Sequence, residues 1–141
     1  MGHRRLRILD LSTRADQPLR SLCGRYVVAF NGEIYNYKII RKELEVIGAH
    51  FKTKSDTEVL LEAYKQWGLE CLDRFNGMFA FALWCKQTHV LTLGRDRMGE
   101  KPLYYGLVNN FFIFSSELKA IKKLDFFDNK ISNKAINLFL Q

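Results

Sequence analysis

The stretch Arg25–Asn36 reads RYVVAFNGEIYN, and the prediction of the fold starts from it. Its first half, Arg25–Phe30, is rich in β-branched and aromatic residues, which predicts a strand. Asn31 and Gly32 follow as a pair that favours a tight turn or a backbone bend with positive φ. Asn36 is a good N-cap residue, so we expect a helix to begin directly after it.

Two amphipathic helices are predicted after that stretch. The first has an apolar stripe, and Gly48 can end it. The second begins at Ser55, because Ser55-Asp56-Thr57-Glu58 is a capping-box pattern, and Gly68 can close it. The stripe of the first helix consists of Ile39, Ile40, Leu44 and Ile47, and the buried face of the second consists of Val59, Leu60, Ala63, Tyr64 and Trp67.

The remainder of the chain is mostly strand-like. Met78–Trp84 is apolar at both alternating sets of positions, which predicts a strand covered on both faces. The later elements are a polar turn at 86–88, a hairpin partner at 90–93, strands at 103–105 and 111–114 around Asn109-Asn110, and a helix at 134–140 capped by Ser132. Hairpins with helices on their faces indicate an α+β layered domain.

The composition is that of one folded domain. The chain has 141 residues, of which 48% are hydrophobic, and this is enough for a packed core. No apolar run approaches the length that spans a bilayer, and no apolar segment follows the basic residues at the start. We therefore expect neither a secretory signal nor a membrane partner. The net charge of +7 is scattered along the sequence, so we expect no nucleic-acid partner either.

The three cysteines, Cys23, Cys71 and Cys85, are odd in number and irregularly spaced. No metal-binding pattern such as C-x-x-C is present, so we expect no metal. Reduced thiols in a cytoplasmic protein are the natural interpretation.

Five polar residues are candidates for a binding site. Asn31 and Gly32 could supply two N–H donors to an oxyanion, although a β-turn is their ordinary role. Arg5 could hold a carboxylate, but it could equally be a surface charge. Asp56 could hold an ammonium group, while a helix cap is its usual function. Glu33 is either a wall of the same pocket or a solvated residue. Together, the five describe a site for an amino acid whose side-chain carbonyl is attacked, and glutamine would suit.

Seven blocks of sequence, in order over nearly the whole chain, resemble the class II glutamine amidotransferase (glutaminase) domain of glutamine-hydrolysing asparagine synthetases. The family patterns include GHRRLSILDLS, FNGEIYN, SDTE, GMFAFALWD and RDRxGEKPLYY. The matching blocks are Gly2–Ser12, Gln17–Leu19, Phe30–Asn36, Ser55–Glu58, Gly77–Trp84, Arg95–Tyr105 and Phe114–Ile121.

The resemblance implies an N-terminal-nucleophile fold, a four-layer sandwich of two antiparallel sheets between helices. It also implies the roles of the five residues. Arg5 would bind the α-carboxylate of glutamine, and Asp56 its α-ammonium with Glu33 beside it. Asn31 and Gly32 would form the oxyanion hole.

The same resemblance implies that ammonia from glutamine passes to a synthetase domain, where ATP and Mg²⁺ serve the amidation of aspartate. The family's N-terminal cysteine nucleophile and its RGPD segment have no counterpart here. We therefore expect a domain truncated at both ends, with residues 1–130 forming a partial amidotransferase domain that lacks its first strand or strands. Residues 131–141 would begin the connection to an absent synthetase domain. No cofactor is expected in this chain itself.

These departures also bear on activity. Cys23 is internal and has no free amine, so we do not expect it to replace the nucleophile. Cys71 and Cys85 are expected to be buried structural cysteines, because no neighbouring histidine suggests activation. The chain alone is thus expected to be inactive. The alternative is a degenerate, non-catalytic module that binds glutamine or a protein partner.

Overall fold

The computed structural model describes residues 1–3, 16–127 and 132–140. The chain divides into two compact units, Met1–Pro102 and Leu103–Gln141. The first contains a four-stranded sheet and the second a two-stranded sheet, both antiparallel, and both units also contain helices. The α+β class with two antiparallel sheets is therefore confirmed.

The four strands of the first unit follow one another in the order β1-β2-β3-β4. Two helices and a 3₁₀ segment lie between β2 and β3 along the chain. The elements are β1 (Leu19–Arg20), β2 (Tyr26–Ile34), α1 (Tyr37–Val46), α2 (Asp56–Trp67), the 3₁₀ segment Gly68–Arg74, β3 (Gly77–Cys85) and β4 (Val90–Arg95).

The tight turn considered at Asn31-Gly32 is wrong, and the alternative, a bend with positive φ, is confirmed. β2 continues to Ile34 and pairs with β3 as far as Gly77. Gly32 has a φ of 143°, and a Cβ there would lie 2.1 Å from the Met78 carbonyl oxygen. β2 and β3 therefore approach each other too closely at this point for any residue but glycine.

One face of this sheet packs against α1 and α2. Val28, Phe30 and Ile34 of β2 point to this face and are buried. Residues Phe79 to Leu83 of β3 are all buried, so its expected coverage on both faces is confirmed. The predicted buried face of α2 is also confirmed, because Val59, Leu60 and Ala63 are fully buried and Tyr64 and Trp67 are partly buried against the core.

The predicted stripe of α1 is only half right. Ile40 and Leu44, four residues apart on one side of the helix, are buried. Ile39 is 62% exposed and Ile47 53% exposed. Ile39 precedes Ile40 by one residue, which turns it about 100° around the helix, away from the core.

Asn36 precedes α1 as expected, but its side chain does not cap the helix. Instead its Nδ2 donates to the Arg74 carbonyl oxygen at 2.9 Å, and its Oδ1 accepts the Asn76 N–H at 2.9 Å. Asn36 thus joins the end of β2 to the segment that leads into β3.

The second unit begins with the hairpin of β5 (Tyr104–Val108) and β6 (Phe111–Ser115). Asn109 and Asn110 turn between them with φ values of 48° and 65°, so the predicted turn is confirmed. Two short helices complete this unit, α3 (Leu118–Lys122) and α4 (Asn133–Phe139), and α4 matches the last predicted helix within one residue. The expected boundary at residue 130 lies outside the described residues and stays a prediction.

Candidate functional site

The backbone of β2 presents its hydrogen-bonding groups alternately to the two sides of the strand. The Tyr35 N–H, which follows β2, donates toward β3, to the Asn76 carbonyl oxygen at 2.7 Å. The Tyr26 N–H points the other way and donates to Ser21 Oγ at 3.0 Å. Even-numbered residues of β2 therefore direct their N–H groups away from β3.

β1 covers only the beginning of that side, because it pairs with Val27 and Val28 alone. Beyond it, the N–H groups of Phe30, Gly32 and Ile34 form a short row that we call the β2 edge. The Phe30 N–H donates to Gln17 Oε1 at 2.5 Å, and the Ile34 N–H donates to Asp56 Oδ2 at 3.1 Å. The Gly32 N–H lies between them, and we find no acceptor for it among the residues that the structure describes.

Asp56 is the first residue of α2, and it is buried at 5% exposure. Besides the Ile34 N–H it accepts the Thr57 N–H, through Oδ1 at 2.8 Å. Burial raises the pKa of the Asp56 carboxyl above its ordinary value. Backbone N–H donors, first that of Ile34, oppose this rise, and the nearby Glu33 carboxylate adds to it. The hydrogen bonds to Asp56 therefore do not fully offset the cost of burying its negative charge.

The loop before α2 is built to hold Asp56 in place. Ser55 Oγ caps the helix by accepting the Glu58 N–H at 3.2 Å. The other half of the predicted capping box is different, since the Ser55 N–H donates to Thr53 Oγ1 at 3.2 Å. Glu58 instead accepts the Lys52 and Thr53 N–H groups at 2.9 and 2.7 Å. The buried Glu58 carboxylate thus fixes the chain just ahead of Asp56.

Four of the five predicted site residues meet at this end of the sheet. Asn31 and Glu33 are two residues apart on β2 and point to the face opposite the helices, both half-buried. Gly32 lies between them, and Asp56 is bound to the next residue along, Ile34. Arg5 lies outside the described residues. The roles assigned to all five stay predictions.

Asp96, directly after β4, was not among the predicted site residues. Its Oδ2 accepts the Phe79 N–H at 3.2 Å and the Lys101 N–H at 3.0 Å, and its Oδ1 accepts the Glu100 N–H at 2.8 Å. Phe79 is the partner of Gly32 in the β2–β3 register. Burial alone would raise the pKa of Asp96, but these N–H donors together lower it below its usual range.

Gln17 is the second residue that the sequence patterns missed. Its only signal was membership of the Gln17–Leu19 block, which predicts no contact. Nothing in the local pattern indicates that its side chain reaches Phe30, which is distant in sequence and lies on a strand.

The thiols are not placed at the β2 edge. Cys85 is paired with Tyr26, six residues before Gly32, or about 20 Å away along the strand. Cys23 is exposed and shares a hydrogen bond with Ser21 Oγ, which in turn accepts the Tyr26 N–H. Both thiols thus lie near the opposite end of β2.

Cys71 is fully buried, and burial raises its pKa to about 12, as expected for a structural cysteine. Cys85 is also buried, as expected, but its thiol has a charged neighbour. The Arg25 Nε donates to its Sγ at 3.5 Å, and this contact together with Thr88 lowers the pKa of Cys85 to about 6. The sequence argument considered only histidine and overlooked Arg25, the residue directly before β2.

Within the described residues, no group of three His, Cys, Asp or Glu side chains could hold a metal ion. None of the helices in those parts of the chain is both long and apolar enough to cross a membrane.

Comparison with known proteins places this geometry in a family context. The curated relatives include asparagine synthetase [glutamine-hydrolyzing] 1 of Bacillus subtilis, 48% identical over 120 residues, and asparagine synthetase B of Escherichia coli, 41% identical over 122 residues. These alignments cover 85% and 86% of this chain but only 19% and 22% of the relatives. The chain therefore spans about a fifth of their length.

Solved structures agree with the expected fold. The glutamine phosphoribosylpyrophosphate amidotransferase of B. subtilis matches with a TM-score of 0.65 and 29% identity, over 75% of this chain and 25% of that one. A structure described as the allosteric regulatory enzyme of purine biosynthesis matches with a TM-score of 0.67 and 28% identity, over 77% of this chain and 25% of its own. The N-terminal-nucleophile type of fold is thereby confirmed.

The family described as "Glutamine amidotransferase domain" matches residues 1–141, the whole chain. The predicted resemblance to the glutaminase domain of asparagine synthetases is confirmed by relatives that are 36% to 48% identical. The chain belongs to the glutamine amidotransferase domain family.

Proposed function

We propose that this chain forms the glutamine site of a glutaminase domain, one that supplies ammonia for ATP-dependent amidation of aspartate in a longer asparagine synthetase. The observation that carries the proposal is that a carboxylate acceptor and an N–H donor lie close together at one end of β2. The buried Asp56 carboxylate and the Gly32 N–H are joined through Ile34, two residues from Gly32. An amino acid offers an ammonium to the first and an amide carbonyl to the second.

Asp56 has capacity left for a ligand. Each carboxylate oxygen can accept two hydrogen bonds, and within the described parts of the chain the Thr57 and Ile34 N–H groups use one on each. An α-ammonium group would supply the positive charge that the two N–H donors do not. Glu33 lies close enough to raise the pKa of Asp56, so it adds negative charge on the same side.

The remaining contacts follow the resemblance. Arg5 would hold the α-carboxylate of glutamine, and the Asn31 side chain would join the Gly32 N–H in binding the carbonyl oxygen. Donors of this kind stabilise an oxyanion by about 2.7–4 kcal/mol each in a transition state. ATP and Mg²⁺ would act in the synthetase domain of the longer protein. The free thiols fit a reducing, cytoplasmic location.

A second candidate is a module that binds glutamine without hydrolysing it. The observation that favours it is the position of the cysteines, since Cys23 and Cys85 lie near the far end of β2 and Cys71 is fully buried with a protonated thiol. The two candidates share the binding site and differ only in turnover.

Titration with L-glutamine, followed by calorimetry, tests the shared site. An ammonia assay on the same samples and on the longer synthetase of the proposal separates the two candidates. We expect Asp56→Asn to weaken glutamine binding tenfold or more, because a hydrogen bond to a charged group contributes about 1.5–3 kcal/mol. Asp73→Asn is the matched control, because Asp73 is 82% exposed and pairs with Arg97 on the surface.

Binding that is lost in Asp56→Asn and kept in Asp73→Asn supports the site. Ammonia release by the chain or by the longer synthetase then indicates a glutaminase, and no release from either indicates the binding module. If glutamine does not bind to the unsubstituted chain, or if both variants bind it equally well, the site is wrongly assigned.

A further inference from the structure

The three N–H groups of the β2 edge differ in their hydrogen bonding within the described residues. The two outer ones, on Phe30 and Ile34, are each held by one side-chain oxygen from a distant part of the chain. β1 begins at Leu19, opposite Val28, and therefore pairs with none of them. Single side chains thus do here what a neighbouring strand does elsewhere in a sheet.

We propose that Gln17 is a positioning residue for the glutamine site, fixing β2 on one side of Gly32 as Asp56 fixes it on the other. This inference rests on the proposed function. Gln17 touches no ligand in this assignment. It acts through the Phe30 N–H, which its Oε1 accepts at 2.5 Å.

The strand needs such support at this place. Gly32 has a φ of 143° and no side chain to anchor it, and glycine loses more conformational freedom on folding than any other residue. β3 holds the other side of this stretch, where Asn31 pairs with Ala80 and Glu33 with Met78, so the freedom that remains is on the β2 edge. With Phe30 and Ile34 both bound, the peptide between them has little freedom to rotate.

The chemistry of Gln17 also fits a place beside an oxyanion. An amide oxygen accepts the Phe30 N–H without bringing a negative charge to the edge. A carboxylate at this position would make the same hydrogen bond but would disfavour negative charge on a ligand oxygen near Gly32. Gln17 and Asp56 therefore differ in charge because they serve different groups of the ligand. The neutral amide of Gln17 lies on the side of the oxyanion, and the Asp56 carboxylate would bind the ammonium.

The test uses ¹⁵N-labelled full chain, with L-glutamine as the probe. Amide hydrogen exchange of Phe30 is measured without ligand, and the Gly32 amide resonance is followed during titration. Gln17→Met keeps the length of the side chain and removes the acceptor. Gln17→Glu keeps the acceptor and adds a charge. Gln66→Met, at an exposed position of α2, is the matched control.

We expect Gln17→Met to speed Phe30 exchange at least tenfold and to remove the Gly32 response to glutamine. Gln17→Glu should restore slow exchange at Phe30, and Gln66→Met should change neither reading. If Gln17→Met fails to fold, Gln17→Asn, whose shorter side chain falls short of Phe30, replaces it.

Three outcomes count against the inference. Unchanged Phe30 exchange in Gln17→Met would show that the hydrogen bond is absent in solution. Faster exchange with an intact Gly32 response would show that Gln17 does not position the site. No Gly32 response in the unsubstituted chain would overturn the proposed function, and with it the ligand role of this edge, independently of the exchange result.

Discussion

Two buried aspartates hold the sheet at the same point from opposite sides, yet their pKa values move in opposite directions. Asp56 binds β2 at Ile34, two residues after Gly32. Asp96 binds β3 at Phe79, which faces Gly32 across the ladder. The pKa of Asp56 is raised and that of Asp96 is lowered.

The difference comes from the number of donors and from one neighbour. Asp96 accepts N–H groups from Phe79, Glu100 and Lys101, which outweigh the effect of burial. Asp56 accepts two, and the Glu33 carboxylate works against it. The N–H donors around Asp96 offset the cost of burying its charge, so this carboxylate is suited to hold the fold. Those around Asp56 do not, so Asp56 is suited to receive a cation.

The largest expected effect is on stability. We expect Asp96→Asn to lower the free energy of unfolding by about 3 kcal/mol, because an amide cannot satisfy three N–H donors and its own NH₂ opposes one of them. Asp56→Asn, with two donors, should cost about 1 kcal/mol. Urea unfolding at pH 7, followed by tryptophan fluorescence, measures both, and the exposed Asp73→Asn should stay within about 0.5 kcal/mol of the unsubstituted chain. Equal losses at Asp56 and Asp96 would break the comparison.

The next effect is the dependence of these losses on pH. With a lowered pKa in the folded state, Asp96 stabilises the fold above its unfolded pKa, and that contribution disappears as pH falls through the folded value. With a raised pKa, the folded state binds the Asp56 proton more tightly, so the free energy of unfolding falls as pH rises between the unfolded and folded values.

Urea unfolding repeated from pH 3 to pH 7 (about the range in which carboxyl groups titrate) checks this prediction. The destabilisation by Asp96→Asn should grow as pH rises, while that by Asp56→Asn should shrink. Two curves with the same slope would mean that the two carboxylates titrate alike.

The smallest effect is expected from Glu33→Gln. Removing this carboxylate should lower the pKa of Asp56 and leave that of Asp96 where it is, because Glu33 contributes to the first alone. Carboxyl ¹³C titration by NMR follows both groups in one sample, with Glu70→Gln as a control at an exposed position. A pKa of Asp56 that does not move would assign its rise to burial alone.

The sequence predicted the elements well where local rules dominate. Ser55 starts a helix through its side chain, while Gly68 ends one and Asn109-Asn110 turn a hairpin through their backbone preferences, and each does so in the structure. The conformation at Asn31-Gly32 was harder to predict, because a residue with positive φ occurs both in tight turns and within a bent strand. The partner strand decided it, since Gly77 lets β3 come close enough to pair to the end of β2.

The site was predictable only as a set of residue types. Asn31, Glu33 and Asp56 carry recognisable chemistry, and the resemblance supplied their roles. Gln17 and Asp96 act by accepting backbone N–H groups that are far away in sequence, such as those of Phe30 and Phe79. Long-range contacts of this kind leave no local pattern, and the contact between Arg25 and the Cys85 thiol escaped for the same reason.

The binding of two β2 N–H groups by single side-chain oxygens has a consequence for the association of molecules of this protein. A strand from a second molecule that pairs with this side would need N–H groups about every 6.6 Å along it, at alternate residues. Gln17 and Asp56 already occupy two of the three such groups at Phe30, Gly32 and Ile34. Among the residues that the structure describes, this leaves the Gly32 N–H alone on the edge, which is too little for intermolecular β-pairing, the route by which uncovered strands aggregate.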